Sequence, residues 1–236
     1  PAVGETGKGI FEIAGESPGR SPERNREYHD RLRDLAVESG VTQTWGMFSV
    51  KAAPEIWRPY FDLLDETATA GGRMFAQVHS RGLNNILSFE RATPYDNWEL
   101  WSNIRALPLE EQKVRLGDPA TKAKLVEIAN REYTGPRIVG AEIRPPDWDY
   151  VFPMDDMSYD KPSMAKIAKE KGVDPVERMI DMALERDLKM FFRAPIANEN
   201  QDHVLEMIKH PRSVVTFSDS GAHVSQIMDS SLQTHL

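Results

Sequence analysis

Gly9-Ile10-Phe11-Glu12-Ile13-Ala14, Val41-Thr42-Gln43-Thr44-Trp45-Gly46-Met47-Phe48 and Arg73-Met74-Phe75-Ala76-Gln77-Val78 are three short runs rich in β-branched and aromatic residues. Each reads as a buried strand. Their starts are about 32 residues apart, the length of a strand, a helix and a return. The intervals carry matching helix signals. Ser21-Pro22-Glu23 supplies an N-cap and a first-turn proline, Tyr28, Leu32, Leu35 and Ala36 recur on one face, and Gly40 stops the helix. Ala53-Pro54-Glu55 restarts a helix whose apolar residues Ile56, Tyr60, Phe61, Leu63 and Leu64 precede Gly71-Gly72. Strand, helix and strand in this rhythm give an α/β protein with a parallel sheet covered by helices, either barrel or open.

The rhythm breaks between 90 and 160. Helical patterns open at Tyr95–Trp101, Leu109–Arg115 and Asp118–Glu132, and the irregular segments Ile143–Asp149 and Pro153–Met157 follow. That is too long for an ordinary strand-to-helix connection, so the segment is expected to be a mainly helical insertion lying over a site as a lid. Regular signals return at Asp174-Pro175-Val176-Glu177, whose helix places Met179, Ile180, Ala183 and Leu184 on its buried side. A strand at Met190–Arg193, a helix at Gln201–Lys209 and a last strand at Val214–Phe217 complete the pattern. The expected organisation is 1–89 as βα units, 90–160 as the insertion, and 161–236 as the last βα units.

The balance of 29 Lys plus Arg against 37 Asp plus Glu, a net charge of −8, argues against a nucleic-acid partner. No apolar run is long enough to cross a bilayer. The absence of cysteine excludes disulfides and thiolate ligands in this stretch and suits a cytoplasmic location. The chain starts at Pro1 without a signal sequence and stops after Leu236 with no terminating pattern, so it is expected to be an internal piece of a longer protein.

In a parallel α/β protein the reactive groups gather where strands end, at the carboxyl edge of the sheet. Asp219 follows the last strand and precedes a glycine; it could serve as a general base or a metal ligand, and Asp before Ser-Gly also suits a plain turn. His223 stands four residues further on and could bind metal, substrate or a developing oxyanion, or be a surface histidine. Gln77, His79, Ser80 and Arg81 cluster an amide, an imidazole, a hydroxyl and a guanidinium suited to a carboxylate or amide, with a polar loop as the alternative. His210, before the last strand, falls at the opposite edge and reads as structural. No His-x-His or His-Glu-x-x-His pair occurs.

The segment Phe217-Ser218-Asp219-Ser220-Gly221-Ala222-His223-Val224 through Thr234 resembles the eighth-strand region of the N-acyl-D-amino-acid deacylases, or D-aminoacylases, in family 3 of the amidohydrolase superfamily. Three further segments are similar: Arg73–Val78 with Arg81-Gly82-Leu83, Ala106–Leu125, and Gly172–Glu177. The resemblance implies a partial TIM-type (β/α)8 metal-dependent hydrolase barrel, here its later strands. Zinc would lower the pKa of a bound water and polarise the scissile carbonyl, while Asp219 moves the proton as general base and acid and ligates the metal. Gln77, Arg81 and His223 would bind substrate. The implied sixth-strand metal histidine falls near Gly9–Ala14, where no histidine stands. Glu12 or another residue substitutes there, or the metal site is reduced, and most zinc ligands would lie upstream of the chain.

The expected activity is hydrolysis of a non-peptide carbon–nitrogen amide bond in a small molecule, deacylating N-acyl-(D-)amino acids. The alternatives are a cyclic amide or ureide hydrolase on the same barrel, or a metal-free homologue that only binds.

Overall fold

The computed structural model describes residues 2–14, 21–51, 53–135, 145–156, 158, 160–216 and 218. In chain order the elements are α1 (Ala2–Glu5), β1 (Ile10–Glu12), α2 (Pro22–Ser39), β2 (Thr42–Met47), α3 (Arg58–Thr69), β3 (Met74–Val78) and β4 (Leu83–Ser88). Then come α4 (Glu99–Arg105), α5 (Leu109–Gly117), α6 (Pro119–Ala129), β5 (Phe152–Pro153), α7 (Met164–Lys171), α8 (Pro175–Leu184), β6 (Phe191–Ala197), α9 (Gln201–Lys209) and β7 (Ser213–Val215). The described residues fall into two compact units, 2–83 with 197–218, and 84–196. The fold is mixed α/β with a parallel sheet and helices.

The first unit holds a four-stranded sheet in the order β1-β2-β3-β7. Every pair in it is parallel, with Glu12 opposite Thr44, Gly46 opposite Gln77 and Gln77 opposite Val214. Alternation fixes the two faces. Trp45, Met47, Met74, Ala76 and Val78 point into a core shared with Tyr28, Leu32 and Ala36 of α2, Phe61 and Leu64 of α3, and Val204 and Met207 of α9. Ser21 caps α2 by accepting from the Arg24 amide, and Gly40 ends it with a left-handed φ of 64° that a side chain would strain.

Two local expectations change. Leu35 is 42 % exposed although it carries helical spacing. It borders β1, the sheet's edge strand among the described residues, where Phe11 is likewise 47 % exposed. The second helix starts not at Pro54 but at Arg58, after turns closed by bonds from Ala53 to Val50 and from Ile56 to Ala53. Pro59 is the first-turn proline, and Ile56 stays outside the helix, 42 % exposed.

His29 of α2 is 6 % exposed, its ring 4.5 Å from that of Tyr60, and its Nε2 has no hydrogen-bond partner among the described residues. Burial and then the Arg26 charge push its pKa below the usual imidazole value, against the opposing pull of Glu66, Asp30 and Asp62. The unfolded chain therefore takes up this proton first as pH falls. Its contribution to stability is full above the unfolded value of about 6.5 and is lost as pH drops from there toward the lower folded value. Urea midpoints measured between pH 7.5 and 5 should fall on the acid side, and His29→Gln should flatten that slope. An unchanged slope in the variant would assign the effect to another group.

The second unit has its own core, in which Trp101, Leu116 and Leu125 from α4, α5 and α6 meet Met164, Val176, Met179 and Ile180 from α7 and α8. Asp174 caps α8 by accepting from the Val176 amide at 2.7 Å. The three-stranded sheet of this unit runs β4-β6-β5, with β6 antiparallel to β5. The strand expected at 190–193 is thus β6, and it belongs to this second sheet rather than to the parallel one. β4 reads Leu-Asn-Asn-Ile-Leu-Ser; its two asparagines have low strand propensity, yet they are buried at 3 % and 1 % exposure.

Candidate functional site

Of the sequence-derived site residues, Gln77 and Arg81 lie among the described residues, whereas Asp219 and His223 lie outside them. Gln77 does not stand at the edge with Arg81. It lies within β3 on the sheet face opposite the helices, where its Nε2 donates to Glu12 Oε1 at 3.0 Å and its Oε1 accepts from Thr216 Oγ1 at 3.2 Å. Gly46 is its register partner on the intervening strand. With no side chain there, the Gln77 amide reaches across β2 to Glu12 on β1. Its two hydrogen-bonding ends are thereby engaged within the sheet.

The carboxyl edge itself carries a packed polar cluster. After β2 comes Ser49, 1 % exposed; after β3 come His79, Ser80 and Arg81, at 0 %, 8 % and 8 %. His79 Nδ1 lies 2.8 Å from the Arg81 carbonyl. A carbonyl can only accept, so Nδ1 carries the proton in that contact. Ser49 Oγ lies 2.9 Å from Nδ1 of His203 on α9, and the His203 ring packs 5.6 Å from Trp57. Arg81, expected as a carboxylate partner with a surface arginine on a polar loop as the alternative, is largely enclosed at 8 % exposure.

Asn198 ties these pieces together, and the sequence analysis did not single it out. It is fully buried with φ 59°. Its Oδ1 accepts from the Ser49 amide at 2.8 Å, its own amide donates to the Ser49 carbonyl at 2.6 Å, and its Nδ2 donates to the Arg81 carbonyl at 3.4 Å. The available signal was an asparagine directly after an apolar strand, a type that tolerates the left-handed region. His210 behaves as expected of a structural residue, beside Asp65 at 3.5 Å and packed on Phe61 at 4.6 Å.

One further pattern is Gly15-Glu16-Ser17-Pro18-Gly19, which has Gly-x-Ser-x-Gly spacing. It lies outside the described residues.

The implied zinc can be tested against the donors present. Among the described residues no three His, Asp or Glu side chains converge in a way that could hold a metal ion. The described residues therefore do not by themselves make a zinc site.

The fold and this edge together define a mixed α/β protein whose parallel sheet ends in a buried cluster of imidazole, hydroxyl, guanidinium and amide groups. No protein-family model, curated protein or solved structure matches the chain. Among the described residues no helix is long and apolar enough to cross a membrane.

Proposed function

We propose that this chain is the later part of a (β/α)8 hydrolase barrel that cleaves a non-peptide carbon–nitrogen amide bond, deacylating N-acyl-(D-)amino acids in the cytoplasm. The observation that carries the reading is the unequal covering of the parallel sheet. Such sheets are almost always covered on both faces. Here one face packs on α2, α3 and α9, while on the other Ile10 is 67 % and Val214 41 % exposed, around the polar row Glu12, Gln77 and Thr216. Closure into a barrel would turn this row inward and give β1 a neighbour. A cavity of about 330 Å³ beside β1, lined by Phe11, Leu35, Val41 and the buried Gln43, suits a further βα unit at that edge.

In this reading Asp219, three residues beyond Thr216, takes a proton from the attacking water and returns it to the leaving amine. Arg81 pairs with the substrate carboxylate once the site opens enough to admit it, and His223 assists in binding substrate. Gln77 holds Glu12 and Thr216 in place instead of touching substrate. Zinc, as the resemblance implies, would be held with ligands other than the described residues and would supply Lewis-acid activation of the carbonyl. The test is a panel of N-acetyl-D- and L-amino acids against hydantoins, with metal content measured on the same preparation. Release of free D-amino acid supports the reading. Hydantoin opening alone would move the substrate to cyclic ureides, and bound ligand without turnover would leave a binding protein.

A further inference from the structure

We infer that Asn198 is a positioning residue that sets the Arg81 turn for a substrate carboxylate. The inference rests on the functional reading above. Three features distinguish Asn198 from an ordinary loop residue. It has no exposed surface, it sits at φ 59° where most side chains are disfavoured, and all of its side-chain bonding is directed at two strand ends.

The bonding is two-sided. Toward β2, Asn198 and Ser49 exchange a backbone and a side-chain bond of 2.6 and 2.8 Å, which imitates one rung of a sheet beyond the last residue of the strand. Toward β3, the Asn198 Nδ2 and the His79 ring both donate to the Arg81 carbonyl, at 3.4 and 2.8 Å. That carbonyl belongs to the residue whose guanidinium is assigned to the carboxylate. Gln201 Nε2 donates to the Asn198 carbonyl at 2.8 Å and anchors the turn to α9. Buried amides of this kind hold one geometry because each lost bond leaves a desolvated partner behind. Asn198 thus fixes where the Arg81 backbone lies without touching substrate.

Asn198→Asp keeps the acceptor for Ser49 and the tolerance of left-handed φ, but it replaces the donor to Arg81 with a second acceptor facing a carbonyl. The expected result is a rise in KM of about tenfold for N-acetyl-amino acids, the scale of one hydrogen bond, with little change in kcat. The matching N-acyl amines, which lack the carboxylate, should show no such rise. In a double-mutant cycle with Arg81→Ala the two KM effects should fail to add, because both act through one contact. Asn198→Gly, which keeps the backbone conformation and removes every side-chain bond, serves as the second variant, with Tm recorded for each.

An equal loss on both substrate types, or additive effects in the cycle, would show a purely structural residue and overturn the inference. A wild-type protein that hydrolyses neither substrate type overturns the functional reading and this role with it. An active wild type with unchanged Asn198 variants overturns this role alone.

Discussion

Asp219→Asn in the hydrolytically active protein should lower kcat by about 100- to 10,000-fold, the range for removing a positioned proton-transfer group. That corresponds to roughly 3–5 kcal/mol of transition-state stabilisation at 1.36 kcal/mol per factor of ten. Asparagine keeps the size and most hydrogen bonds of aspartate but cannot accept the proton of the attacking water, so the loss should fall on kcat more than on KM. The basis is sequence position. Asp219 follows Thr216 and Ser218 after β7, and β7 is parallel to β3, so both strands end at the same edge. Steady-state kinetics with N-acetyl-D-amino acids, and circular dichroism to show an intact fold, make the measurement. Turnover within a few-fold of wild type would sink the role of Asp219 while leaving the architecture untouched.

Trp101→Ala should be the most damaging substitution in the second unit, costing about 3–5 kcal/mol, the usual range for truncating a buried aromatic. Trp101 is 1 % exposed, its ring lies 4.8 Å from Tyr95, and its Nε1 donates to the Leu125 carbonyl at 3.2 Å. Truncation opens a cavity between α4 and α6 and removes that bond. Against a total domain stability of about 5–15 kcal/mol, the loss is a large fraction. Urea unfolding followed by far-ultraviolet circular dichroism reads it directly. Trp101→Phe, which keeps most of the ring volume, should cost clearly less. A loss under about 1 kcal/mol for the alanine variant, within the range of a surface change, would refute the placement of Trp101 in this core.

Much of the first unit was legible in the amino-acid order. β1, β2 and β3 stand within the β-branched and aromatic runs 9–14, 41–48 and 73–78, and α2 begins after its cap at Ser21 and ends at Gly40. These features are local: a strand shows in its composition, a cap in one side chain bonding a near amide, and a stop in one glycine. Sequence alone does not separate Pro54 from Pro59 as the first-turn proline of α3, because both offer the same local signal. What separates them is the burial of Trp57 and Phe61 on the sheet, at 2 % and 7 % exposure.

The candidate site was legible only in outline. Sequence picked out the edge after β3 as polar, and the packed cluster of His79, Ser80 and Arg81 is there. It could not separate Gln77 from its neighbours, because that difference is one of strand alternation and of a glycine on the adjacent strand. Nor could it find Asn198, whose partners lie 149 and 117 residues away in the chain.

The sequence by itself determined the class of elements, their caps and the parallel βα rhythm, since these depend on residues within a turn or a strand of one another. Only the tertiary structure decided which strands share a sheet. It moved β6 into the antiparallel sheet with β5, set β7 beside β3, and brought Asn198 against Ser49. Those pairings are settled by hydrogen-bond satisfaction and burial between distant segments, which no local pattern of residues encodes.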